Sequence, residues 1–417
     1  MAILLPFKAL RPSPSLVEQV ACPPYDVVNL EDVKSLIKGN PYSLLHLTRS
    51  EADFKEKINP YDFIIYEKAK KNLNRFLSEK ILVQDTAPCL YIYRQQMGDH
   101  SQTGLVGCTS VEEYDSGIIK RHENTRKDKE EDRTRHIDHL NAQLEPIFLT
   151  YKPFAEIDAI VAQEMDNSSP IYDFICQEQV HHQLWIISEE KTILKLVELF
   201  SSIPHLYIAD GHHRAASAAA VSRKRKKDCP SHTGKEPYHF ILSVLFPADQ
   251  VKILPYNRLV KDINGLTPEQ FISRLENIFH ISSPEKDSAF QPETPRTFGL
   301  YLNQCWYKLT AKAKKLKKQE VVESLDVSFL QNNVLAPLLG IHDPRTNERI
   351  DFAGGMLGIE KIIKKVNSGD MKAGFTLFPV SVETLMEVAD ENKLMPPKST
   401  WFEPKLKSGL FIHPLEN

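Results

Sequence analysis

Residues 206–214 read Leu-Tyr-Ile-Ala-Asp-Gly-His-His-Arg, and Ala215, Ala216, Ala218, Ala219 and Ala220 follow at once. The apolar run 206–209 has the length and bounds of a buried strand, while alanine is the strongest helix former. A strand therefore passes directly into a helix, with five polar or flexible residues at the corner. At such a corner the first-turn N–H groups have no intrahelical partner and carry the positive end of the helix dipole, which suits a phosphate. Gly211 lets a ligand approach the backbone, and Arg214 adds a forked cation. Asp210, His212 and His213 have the chemistry of an acid, a base or a metal ligand. The bland alternative is a helix cap by Asp210 with exposed imidazoles, but a cap leaves the second histidine and Arg214 unexplained.

Outward from the corner, residues 62–80 place Phe63, Tyr66, Ala69, Leu73 and Phe76 at helical spacing. Strands are expected at 89–94 and 103–111 around a hairpin at Gly98 and Asp99, and again at 146–151 and 239–246. Helices are expected at 157–165, 190–200, 267–279, 325–339 and 381–392, a strand at 373–378, and a turn at 255–258. Residues 310–319 are Lys-rich and read as a hairpin or loop surface. Pro6, Pro12, Pro14, Pro23 and Pro24 make the first forty residues an extended lead-in.

Residues 120–136 contain no apolar side chain and read as a wholly polar helix. On that helix His122, Arg126, Lys129 and Arg133 fall within roughly a 60° arc, a stripe of four potential cations. Such a stripe calls for an anionic partner, either ligand phosphates or the flanking Glu123 and Glu130. A solvated helix laced with ion pairs is the plainer reading. The block Arg223–Lys227 reads as a solvated last turn of the corner helix, with a nucleic-acid or localisation patch the minority view.

The absences narrow the chemistry. No P-loop, no Rossmann fingerprint and no hydrolase elbow occurs, and the run Ala-Gly-Gly-Met-Leu-Gly at 353–358 reads as a turn lacking a Lys or a preceding strand. Adjacent histidines rarely face one ion, and no HExxH or Cys/His pairing completes a zinc site. Asp210 holding Mg²⁺ beside a nucleotide is the metal reading that stands. The chain has 417 residues, 41% of them hydrophobic and 26% charged, with a formal net charge of −3. That is an ordinary globular composition, and it argues against a surface built wholly for nucleic acid. The six cysteines lie far apart with no C-x-x-C pair, so reduced, structural thiols are expected. The first apolar run is too short for a signal peptide and no run reaches the ~18 residues of a membrane span, so a cytoplasmic protein is expected.

Six ordered motifs carry a resemblance: Pro-Phe-Lys-Ala-Leu-Arg-Pro (6–12), Pro-Pro-Tyr-Asp-Val-Val (23–28), Asn-Pro-Tyr-Ser-Leu-Leu-His (40–46), His-Glu-x-Thr-Arg (122–126) with Lys129 and Asp132-Arg133, Ile-Ala-Asp-Gly-His-His-Arg (208–214), and Met-Pro-Pro-Lys-Ser-Thr-Trp-Phe-Glu-Pro-Lys (395–405). Together they resemble the bacterial "domain of unknown function 1015" family, from residue 6 to about residue 414. Over residues 116–225 the chain also looks like the ParB/sulfiredoxin-type fold, and its motifs are similar to those of the free-serine kinases of that fold. The resemblance implies an α/β (α+β) protein with a ParB/sulfiredoxin-like mixed-sheet core at 116–250. An N-terminal α/β region at 1–115 and a C-terminal α/β region at 251–417 would elaborate it. His212 stands where sulfiredoxins carry a cysteine, which removes sulfinic-acid reduction.

The resemblance further implies a nucleotide, ATP or ADP with Mg²⁺, and a phosphotransferase acting on a small hydroxyl metabolite such as free serine. Glu123 would be the base, with Asp210 and His213 also catalytic and Asp210 the Mg²⁺ ligand. His122, Thr125, Arg126, Lys129, Arg133, Gly211, His212 and Arg214 would hold phosphates. Tyr25 and Asp26, and Lys398 and Ser399, would lie on substrate loops. The alternatives are a nucleotide-gated binding protein resembling the CTP-switch ParB proteins, and a phosphatase using the same groups. The partners expected are a small-molecule substrate and a nucleotide, with neither membrane nor nucleic acid.

Overall fold

The computed structural model describes residues 2–56, 58–283, 289–313 and 320–416. The chain forms two compact units, one of Met1–Arg121, Thr125–Val251 and Pro404–Asn417, the other of His122–Asn124 and Lys252–Glu403. Both are mixed α/β, the fold class expected.

An eight-stranded mixed sheet organises the first unit. Its order is Ile119–Lys120, Leu206–Asp210, Ile147–Tyr151, Phe240–Pro247, His100–Ser110, Leu90–Met97, Val180–Ile187 and Tyr172–Ile175. Leu206–Asp210 runs parallel to Ile119–Lys120 and antiparallel to Ile147–Tyr151, which in turn is parallel to Phe240–Pro247. The boundary expected at 115/116 thus lies within one continuous sheet, to which His100–Ser110 and Leu90–Met97 come from before it and the other six strands from after it. The corner helix His212–Asp228 buries Ala215, Ala216, Ala218 and Ala219, while Ile147, Leu149 and Ile208 of the neighbouring strands belong to the same apolar cluster. Small side chains let the helix sit close to the sheet, and removing this apolar area from water stabilises it at about 25 cal/mol per Å².

The amphipathic helix Phe63–Ser78 is close to its expected span, with Asp62 capping it by accepting the Ile64 N–H. Tyr66, Ala69, Leu73 and Phe76 are buried, but Phe63 is 60% exposed. Only the start of the lead-in is extended, with bridges from Leu5 to Cys108 and Phe7 to Cys89; against expectation, Val17–Val20 and Leu30–Ile37 are helices, the second begun by a capping box in which Asn29 accepts the Asp32 N–H and Asp32 accepts the Asn29 N–H. The segment 404–416 is pinned beside the lead-in, Leu10 bridging Ile412 and Cys22 bridging Ser408. The Arg223–Lys227 block is the last turn of the corner helix, where Arg223 pairs with Asp115 and Lys224 and Arg225 pair with Asp138. None of the six cysteines is in a disulfide.

The polar helix differs from expectation. It spans Lys127–Leu140, not 120–136. Residues 119 and 120 are held extended by pairing with Leu206 and Tyr207, and Arg126 is still extended at φ −91°, ψ 128°. At the other end burial of Ile137 and Leu140 carries the helix on until Asn141 turns left-handed. His122 is therefore off the helix and the four-cation stripe does not form.

The second unit has a six-stranded sheet in the order Phe279–Ile281, Cys305–Ala311, Thr297–Leu302, Ala373–Leu377, Tyr256–Val260 and Ile350–Gly354. Where a turn was expected at 255–258, Tyr256–Val260 forms an inner strand paired on both sides. The helix expected at 267–279 spans Pro268–Leu275, and Phe279 opens a strand. The run 353–358 does have a preceding strand, Ile350–Gly354, and the helix Gly358–Asn367 follows it. The run 325–339 begins as helix Asp326–Leu330 and continues as a π-helical turn over Gln331–Leu335. Strand Ala373–Leu377 and helix Val382–Asp390 lie where expected. Of the Lys-rich run, 310 and 311 end a strand and 314–319 lie outside the described residues.

Candidate functional site

In the first unit the corner is built as a pocket of paired charges. A β-bulge between Ile208 and Asp210 re-aims the strand end, and Gly211 at φ 97° is the N-cap of the helix. A Cβ on Gly211 would lie 3.2 Å from Arg214 Cζ and from Ile147 Cγ2, so glycine is required by both conformation and space. Arg214, 7% exposed, donates to the Pro146 carbonyl and lies 3.4 Å from Asp210 Oδ2 and 4.0 Å from Asp26. Lys405 reaches the same Asp210 oxygen at 3.3 Å. Burial pushes the Asp210 carboxyl up, but Lys405 and Arg214 outweigh it and hold the group well below the usual carboxylate range. Burial likewise works against the Arg214 charge, while Asp26, Asp210 and Glu145 secure it.

Behind the corner, Glu145 accepts from the Tyr25 N–H at 3.0 Å and the Ser408 hydroxyl at 2.6 Å. Burial raises its carboxyl, and Arg214 opposes that. Arg133 stacks over the Tyr25 ring at 4.6 Å and pairs with Asp132 at 2.7 Å; the Tyr66 hydroxyl donates to Asp132 at 2.7 Å. A cavity of about 30 Å³, room for a water molecule, is lined by Arg133, Glu145 and Arg214 among others. Arg214 Nε is buried without a hydrogen-bond partner among the described residues, a donor suited to an incoming anion.

The first unit thus gathers Asp210, Gly211, His212, His213, Arg214, Tyr25, Asp26 and Arg133. His213 is engaged through Nε2, which accepts the Arg126 N–H at 2.9 Å and so places its ring proton on Nδ1. The expected phosphate ligands at 125–129 do not converge. The Arg126 side chain is exposed and paired with Asp128, Thr125 donates to Glu130, and exposed Lys129 sits 5.4 Å from the Tyr61 ring centre. A Mg²⁺ ion seated on Asp210 alone would face both Lys405 and Arg214, so that role does not fit the corner as built. No local pattern in the sequence marks Lys405, Glu145 or Ser408 for this site. Lys405 closes the quoted motif 395–405, and Glu145 immediately precedes the expected strand at 146.

In the second unit His122 is buried, its carbonyl accepting the Met395 N–H at 2.8 Å and its Nε2 lying 3.4 Å from Thr400 Oγ1. Glu123 lies close enough to Tyr256 to act on its hydroxyl electrostatically. Lys398, at φ 59°, holds its ammonium 5.7 Å from the Tyr256 ring centre. Ser399 turns inward instead: it is buried and donates to the Pro396 carbonyl at 2.6 Å, closing the loop rather than lining a surface.

Fold and corner define a mixed α/β protein with a cation-rich strand-to-helix junction. Within that class the chain belongs to the family described as "Protein of unknown function (DUF1015)", whose model matches residues 4–328. No curated protein matches. Solved structures it is similar to include a conserved hypothetical protein from Pyrococcus furiosus, 14% identical with a TM-score of 0.36 over 73% of this chain and 95% of that one. A free serine kinase in complex with AMP is 12% identical, TM-score 0.37, over 71% and 86%. SbnI from Staphylococcus aureus, with a C-terminal truncation, is 10% identical, TM-score 0.36, over 73% and 85%. Among the described residues no helix is long and apolar enough to cross a membrane.

Proposed function

We propose that this chain is a nucleotide-dependent phosphotransferase that moves a phosphoryl group from ATP or ADP to the hydroxyl of a small metabolite such as free serine. The observation that carries the reading is the clamp at the corner, where Lys405 and Arg214 share one Asp210 oxygen at a glycine-capped helix N-terminus. Phosphoryl transfer depends mainly on positioning and charge neutralisation, which two fixed cations, an orphaned guanidinium nitrogen and first-turn N–H groups can supply. Lys405 exchanges Asp210 for phosphate oxygens when the nucleotide enters, and Asp210 then orients Arg214. Glu123 takes the proton of the acceptor hydroxyl. Mg²⁺ enters as the counter-ion of the nucleotide.

The test is ³¹P spectroscopy of the purified chain with ATP or ADP, Mg²⁺ and a panel of hydroxyl metabolites including serine. A new phosphomonoester resonance is expected, and it should be lost in Lys405→Met. Release of inorganic phosphate alone, or no turnover with any acceptor, overturns the reading.

A further inference from the structure

The second unit buries a cation with which no carboxylate among the described residues pairs. Arg258, 3% exposed, lies on the inner strand Tyr256–Val260. It donates to the carbonyls of Tyr256 at 2.6 Å, Lys398 at 2.9 Å and Pro397 at 3.2 Å, and its guanidinium lies 4.8 Å from the Phe352 ring centre. These carbonyls satisfy three of its five N–H groups but neutralise none of its charge. Among the described residues no carboxylate forms an ion pair with it. Arg11, Arg133 and Arg214 differ, since each is largely buried and pairs with an aspartate. Accordingly burial pulls Arg258 down to about 10, whereas those three are raised. A desolvated charge without a partner is costly, and an anion docking beside it offsets that cost.

The loop that Arg258 holds carries a second cation to the surface. Exposed Lys398 stands over half-buried Tyr256, whose ring meets Trp401 edge-on at 5.1 Å. Glu123 acts on Tyr256 from the same unit. Glu403 is committed to the turn, accepting from the Met356 N–H at 3.1 Å and Trp401 Nε1 at 3.2 Å. Both Nη1 donors and one Nη2 donor of Arg258 are turned onto carbonyls, so the end-on fork that recognises a carboxylate is taken. Lys398, which is also hydrogen-bonded to the Tyr256 side chain, adds a point charge to this fixed positive field, and the two cations together favour the more highly charged phosphate.

We infer that the Tyr256–Arg258–Lys398 face of the second unit is a binding site for the phosphate group of a small molecule. This goes beyond the reading of the corner and is independent of it. The chain has three tryptophans, so Trp185→Phe with Trp306→Phe leaves Trp401 as the sole indole beside the face. In that full-length background, inorganic phosphate should change Trp401 emission saturably at constant ionic strength, and acetate should bind more weakly. Lys398→Met, which keeps the Arg258 clamp, should weaken phosphate by about tenfold, the scale of one lost charge-assisted hydrogen bond. Arg258→Met should do at least as much if it folds, while Lys405→Met should leave the Trp401 response intact. No saturable response, a response unaltered in Lys398→Met, or acetate binding as tightly as phosphate overturns the inference.

Discussion

Lys405 and Asp210, 195 positions apart in sequence, meet at 3.3 Å, and the same Asp210 oxygen lies 3.4 Å from Arg214. The strap around Lys405 is itself held: Gln95 donates to the Lys405 carbonyl at 2.9 Å, and Ser408 reaches Glu145. The cation is therefore placed by the sheet rather than by chance contact.

Lys405→Met should destabilise the chain by about 1–3 kcal/mol near neutral pH, as for a charged hydrogen-bond partner lost from a mostly buried group. Asp210 is held below its ordinary range. Its contribution is thus complete above the unfolded value of about 3.9 and is lost as pH falls toward the depressed one. Urea unfolding of both proteins should show the gap narrowing below about pH 4. A gap that is constant with pH would mean that Lys405 stabilises by packing alone.

Three buried histidines of the first unit make the same unit acid-sensitive at higher pH. Burial pulls His136 down to about 3, with Arg133 adding to it, His182 to about 3 with Lys407 adding, and His413 to about 4. All three are neutral in the fold and take up a proton when unfolded below about pH 6.5. Their stabilisation is complete above that value and falls as pH drops toward 3 to 4, by up to about 1.4 kcal/mol per pH unit for each histidine. Urea midpoints from about pH 7 to about pH 5 should decline, and His182→Gln should make the decline shallower. An unchanged slope in that variant removes His182 from the account.

Gly211→Ala combines a positive φ with crowding against Arg214 and Ile147. The strain should cost about 1–3 kcal/mol, read as a lower urea midpoint at unchanged slope. A neutral substitution would show that the corner relaxes freely, which an anion seat built from fixed donors does not allow.

The corner is legible in sequence because its signals are local: an apolar tetrad, a glycine and a run of alanines within fifteen residues. The cations that complete it are not, since nothing in the neighbourhood of Lys405 records its partner at 210. Long-range pairing also overrides the helical spacing of residues 120–126, because Ile119 and Lys120 are drawn into the sheet beside Leu206. The strand before Gly355 is hidden by its own composition. Asp351 breaks its apolar pattern and finds its partner in Lys365 on the following helix.

Glu123→Gln removes the proposed base while keeping size and polarity. Turnover in the ³¹P assay should fall by about 10²–10⁴, with nucleotide affinity retained. Equal losses of turnover and nucleotide binding would recast Glu123 as a binding group, and unchanged turnover would remove it from the chemistry.

Arg214 is the hub on which three acids depend, Asp210 and Asp26 by contact and Glu145 through its field. Arg214→Met should cost about 3–5 kcal/mol, most of it from the acids left behind rather than from the bonds themselves. Asp210→Asn removes one of those acids and the charge that Lys405 meets there, so it should be harmful alone and partly compensating in combination. The double variant should be more stable than the sum of the single losses predicts, by about 0.5–3 kcal/mol in urea unfolding. Simple additivity would mean that Arg214 and Asp210 are stabilised separately, Arg214 by the Pro146 carbonyl and Asp210 by Lys405. The corner would then be two independent contacts instead of one charge clamp.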